Sequence, residues 1–154
     1  MDRRDILKAG SGAGMLGLAF AAGLLRPEDA FAQAWNKAAF DTRNFADTVK
    51  ALGGSASTAS TEVRITAPDI AENGAVVPVS VESALANTQS IAIMIEKNPN
   101  TLSANFEIPA GTDPFVTTRV KMAETSNVYA VVKADGRFFH AVKEIKVTIG
   151  GCGG

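Results

Sequence analysis

Apolar and polar residues change period once along the chain. Between residues 39 and 54 the apolar positions recur at helical spacing, with Phe45, Val49 and Leu52 on one face. Asp41 is placed to cap the start of this expected helix. Phe40 and Phe45 are placed to staple across the cap, and Gly53 to stop the helix. Residues 55–61, SASTAST, carry no pattern and read as a linker. From Glu62 onward the period is two. Strands are expected near 62–67, 75–83, 90–97, 102–108, 115–123, 127–134, 137–143 and 145–149. In the second of these, Ala75, Val77, Val79 and Val81 alternate with Val76, Pro78, Ser80 and Glu82. Pro78 has no N–H to give to a ladder, so its strand is expected at an edge or at a bulge. Asn73-Gly74, Asn98-Pro99-Asn100 and Asp135-Gly136 mark turns, and Asp135-Gly136 is a two-residue hairpin signal. The pattern predicts an all-β fold: an antiparallel β-sandwich of immunoglobulin-like architecture, with one helix before it.

The first 32 residues have a different character. Arg3-Arg4 opens RRDILK, a Gly- and Ala-rich apolar run fills residues 9–25, and Ala30-Phe31-Ala32 offers a small-x-small cleavage site. These are the parts of a twin-arginine export signal. The expected organisation is therefore a signal peptide over 1–32, a helix-plus-sandwich domain over 33–149 and a glycine arm over 150–154. The destination is the periplasm, reached by a route that exports proteins already folded.

Composition narrows the function. The 15 Lys and Arg against 16 Asp and Glu leave a formal net charge of −1. A mixed, near-neutral surface argues against nucleic acid or an anionic membrane as partner. One histidine, His140, stands beside Phe138 and Phe139 in a strand and reads as structural. No phosphate loop or cofactor motif is found, and one His with one Cys is too few for a zinc site of the usual kind.

The remaining candidate is the last stretch, KVTIGGCGG. It holds the only cysteine of the chain, Cys152, between Gly150-Gly151 and Gly153-Gly154. If Ile149 ends the last strand, the thiol rides on an arm of about 10 Å. Glycines make such an arm conformationally free and slim enough to thread a narrow channel. No Lys or Arg lies within five residues to lower the thiol pKa, so at a reference value of ~8.5 little of it is thiolate at neutral pH. A quiet sulfur on a long tether suits delivery of a cargo better than catalysis in place.

These residues, the terminal Gly150-Gly151-Cys152-Gly153-Gly154 above all, resemble the SoxY family of periplasmic thiosulfate oxidation. The twin-arginine signal and the order of helix then sandwich agree with it. The resemblance implies that Cys152 is the covalent attachment site for sulfur and that its flanking glycines are the arm. It implies a carrier rather than an enzyme, with no cofactor of its own. It also implies a heterodimer with a SoxZ-like subunit, co-exported in the folded state. Transient visits would follow to haem-containing, hydrolase and molybdenum enzymes of the Sox system. The residues alone leave a second reading open: a non-catalytic sandwich subunit of an assembly, with Cys152 forming an intermolecular disulfide.

Overall fold

A computed structural model describes residues 36–149. Arg3, Arg4 and the rest of the expected signal lie outside the described residues, as do Gly150, Gly151, Cys152, Gly153 and Gly154. The elements are α1 (Lys37–Phe40), α2 (Phe45–Ala51), β1 (Ser57–Ala59), β2 (Val63–Thr66), β3 (Ile70–Ala71), β4 (Val77–Ser83), β5 (Thr88–Ile95), β6 (Leu102–Glu107), β7 (Phe115–Val120), β8 (Ser126–Ala134) and β9 (Arg137–Val147). They form a β-sandwich. The larger sheet has the order β1-β9-β8-β5-β6, with β3 also paired to β9, and the smaller sheet is β2-β4-β7.

The two sheets bury opposing apolar rows. Val77, Val79 and Val81 of β4 meet Ile91, Ile93 and Ile95 of β5 and Val128, Ala130 and Val132 of β8. The intervening residues of β5, Ala92 and Met94, are buried as well, in a second cluster with Val49, Leu102, Val131 and Phe138. The helical segment covers the outer face of the larger sheet there. This explains why IAIMI is apolar without alternation: each face of β5 is covered.

The expected single helix is two. Asn36 caps α1 by accepting from the Ala39 N–H at 3.1 Å, and Asn44 caps α2 by accepting from the Asp47 N–H at 2.9 Å. Asp41 is at the C-terminal end of α1, ion-paired with Lys37, and caps neither start. Gly53 does stop α2. At φ 95° it adopts a left-handed conformation, with Gly53 N–H bonded to Lys50 O and Gly54 N–H to Val49 O, both at 2.9 Å. That pair of bonds is a Schellman cap.

Three further expectations are corrected. The linker 55–61 contains β1, paired in parallel with β9 through Ser57↔Phe138 to Ala59↔His140. The last two expected strands are one strand, β9. Finally, β3 is an additional parallel partner of β9, through Ile70↔Lys146 and Ala71↔Val147. The sandwich is therefore antiparallel everywhere except along one edge of β9. Pro78 lies in β4, the central strand of the smaller sheet, but pairing with β2 ends at Thr66↔Ser80. At Pro78 the strand has a neighbour on one side only, Arg119 of β7, so the missing N–H costs no ladder bond on the other side. The Asp135-Gly136 hairpin is as expected: φ values of 49° and 73° give a type I′ turn joining Ala134 to Arg137.

Candidate functional site

The fold delivers the chain to Gly150 from a firmly held base. β9 is the longest strand and pairs with β8 from Ala134↔Arg137 to Ser126↔Ile145. Beyond that, its opposite edge is bonded to the segment 69–74. Lys146 N–H donates to Asp69 O at 3.0 Å and Thr148 N–H to Ala71 O at 3.1 Å. The Thr148 hydroxyl donates to Glu72 O at 2.8 Å, and Val147 N–H donates to Thr125 Oγ1 at 2.9 Å. The last of these anchors is Gly74 N–H donating to Ile149 O at 2.7 Å. Ile149 itself is 68% exposed. Backbone order therefore extends to the residue before the first glycine of the expected arm.

Sequence reasoning missed this anchorage. Its supporting turn at Asn73-Gly74 is as expected: Asn73 Oδ1 accepts from Ala75 N–H at 2.8 Å, an Asx turn that holds Gly74 in place. A second clamp lies upstream. The Lys143 ammonium donates to Ala67 O at 2.7 Å and pairs with Asp69 at 2.9 Å. It holds the Asp69 carboxyl below the usual carboxylate range, chiefly by the hydrogen bond and then by its charge.

His140 is placed far from this base. Its Nδ1 shares a hydrogen bond with the Ser57 hydroxyl at 2.9 Å, tying β9 to β1. Its ring stands edge-on to Phe45, with centroids 5.4 Å apart, and 6.3 Å from the Tyr129 ring. Burial pushes the imidazole below the usual histidine range. Seven strand residues separate His140 from Val147, a distance of about 24 Å, against about 11 Å for three extended residues after Ile149. A Cys152–His140 nucleophile pair is excluded by that span, and the structural reading of His140 stands. Among the described residues no three His, Cys, Asp or Glu side chains gather to hold a metal ion, and no helix is long and apolar enough to cross a membrane.

Two comparisons with known proteins bear on this arrangement. The family model described as "Sulfur oxidation protein SoxY" matches residues 49–152, a span that runs from α2 through the whole sandwich and ends on Cys152. Among solved structures, the sulfur carrier protein SoxY from Chlorobium limicola f thiosulfatophilum superposes with a TM-score of 0.64 at 37% identity. The match covers 74% of this chain and 100% of that one. Among curated proteins no significant relative is found.

Proposed function

The chain belongs to the SoxY family of sulfur oxidation proteins, and from that premise we propose that it carries sulfur intermediates covalently on Cys152. The observation that carries this reading is the extent of the family match. It includes the only cysteine of the chain and ends on it, three residues after Ile149, whose carbonyl is bonded to Gly74 N–H. In the cycle proposed, the Cys152 thiol and the outer sulfur of thiosulfate are coupled. The product is Cys–S–S–SO3⁻, with release of one proton and two electrons to a haem partner. Water then cleaves the S–S bond to the sulfonate group at a hydrolase partner. This releases sulfate and two protons and leaves a persulfide anion on the cysteine. A molybdenum enzyme is the proposed oxidant of the remaining sulfane sulfur. The chain supplies only the attachment atom and the tether; the chemistry belongs to the partners.

A SoxZ-like subunit is the proposed constant partner. Export by the twin-arginine signal at Arg3-Arg4 would carry the pair to the periplasm folded. With no Lys or Arg within five residues of Cys152 in the sequence to favour thiolate, the empty arm reacts slowly by exchange until a partner activates it.

The test is intact mass spectrometry of the protein isolated without reductant from the periplasm of cells oxidising thiosulfate. A reducible adduct on the Cys152 peptide, with the mass of thiosulfonate or added sulfur, is expected. A bare thiol, or only a homodimeric disulfide, in such cells would overturn the carrier reading in favour of an assembly subunit.

A further inference from the structure

A cleft of about 420 Å³ opens between β6 and β7, at the end of the sandwich where β9 finishes. Arg119 and Lys121 line one wall, and Asn100 and Ser103 stand in the loop and strand opposite. Three other cations of the sandwich are held in ion pairs: Lys97 with Glu124 at 3.8 Å, Arg64 with Glu82 at 3.6 Å and Lys143 with Asp69 at 2.9 Å. Among the described residues, no carboxylate stands within ion-pair distance of Arg119 or Lys121. Two exposed, uncompensated cations beside neutral donors form a concavity that attracts an anion.

The cleft is joined to the base of the arm by two hydrogen bonds through one residue. Gly74 N–H donates to Ile149 O, and Gly74 O accepts from Met122 N–H, each at 2.7 Å. Ile149 O is thus within about 9 Å of the residue after Lys121, given the span of one peptide unit. The loop that forms the far wall is fixed to the same place. Asn98 donates to Lys121 O at 2.7 Å and accepts from Ala123 N–H at 3.0 Å.

We propose that this cleft is an oxoanion site that receives the sulfonate end of Cys152 loaded as Cys–S–S–SO3⁻. The proposal rests on the carrier reading above. Three residues of arm reach about 11 Å beyond Ile149, and the cysteine side chain and cargo extend further. The Lys121 side chain shortens the remaining gap from the other side. A guanidinium matches two sulfonate oxygens at once, and an ammonium adds a point charge. Both cations are solvent-exposed, so the site binds free anions weakly. A tethered cargo has an effective concentration in the millimolar range, and a weak site then suffices to hold it. The unloaded thiol has no sulfonate oxygens to match the guanidinium, so the cleft distinguishes loaded from empty arms.

The experiment loads the mature protein, with any partner it is isolated with, by reaction with tetrathionate. The Cys152 thiolate attacks an inner sulfur, the Sγ–S bond forms, thiosulfate leaves, and Cys–S–S–SO3⁻ remains. Intact mass verifies the adduct. Amide NMR shifts are then compared with those of a methylthio adduct, which has no charge. Shifts at residues 98–104 and 118–121 are expected for the thiosulfonate only. They should be lost in Arg119→Ser/Lys121→Ser and weaken as salt is raised. Shifts confined to 72–74 and 148–149, equal shifts with the methylthio adduct, or shifts that persist in the double variant would overturn the site. Because loading is chemical, a failure here is separate from a failure to find the adduct in cells.

Discussion

At the scale of single residues, Cys152 is the proposed cargo site and His140 a structural residue. Cys152→Ser is expected to abolish thiosulfate-dependent respiration while circular dichroism and partner co-purification stay unchanged, since no described contact depends on the thiol. Loss of folding in that variant would count against a carrier. His140 gives a pH prediction. Burial disfavours the charged imidazole, so its folded pKa lies below that of the unfolded chain. Its stability contribution is then full above the free value of ~6.5 and is lost as pH falls through that value toward the folded one. Thermal scans should show a melting temperature that declines as pH falls below about 6.5. The decline should be smaller in His140→Gln. The difference will be small, because the ring is only partly buried. An equal decline in both proteins would assign the acid sensitivity elsewhere. Cys152, the proposed attachment residue, stands out in the sequence because its context is so unusual. The Asn73-Gly74 turn was legible too, but the role of Thr148 in securing the base of the arm was not. Thr148 is an ordinary polar residue whose role appears only when segments about 75 positions apart meet.

At the scale of elements, the end of α2 is the most constrained point of the helical layer. A Cβ at Gly54 would come within 2.8 Å of Phe138 Cδ2 and 2.9 Å of Val49 Cγ1. Gly54→Ala should therefore destabilise the protein by about 1–3 kcal/mol, as measured by chemical denaturation. Asn44→Ala, which removes a cap without a clash, should cost about 1 kcal/mol. If the two changes cost the same, the helical layer adapts more readily than its packing implies. The strands with one buried face were readable because burial imposes period two on four or more residues, and β5, covered on both faces, was readable as a continuous apolar run. Strands β1 and β3, at three and two residues, are too short to carry a period. Their partners lie roughly eighty residues on, and parallel pairing leaves no local turn signal. The break expected within β9 has a specific cause. Phe139, Ala141, Ile145 and Val147 form one row packed on the core, and Lys143 occupies the middle of that row. A charge at an inward position reads as a strand end. In the fold its stem continues the row while the ammonium emerges at the edge to meet Ala67 and Asp69.

At the scale of the whole molecule, a two-sheet body precedes a short glycine-rich segment bearing the proposed attachment atom. Replacing Gly150-Gly151 by Pro-Pro is expected to leave the thiol titratable with a disulfide reagent but to stop turnover with partner enzymes, because proline restricts φ and removes two donors. Normal turnover in that variant would show that the glycines serve some purpose other than motion. The strand feeding the arm has a mechanical consequence. A partner that grips the loaded end and withdraws it pulls along the axis of β9. The ladder to β8 crosses that axis at nine paired positions, so tension is carried in shear by many bonds at once instead of peeling them one by one. The parallel stitches at β1 and β3 brace the other side. In the carrier reading proposed, the sandwich thus resists a pull applied through its C-terminal strand.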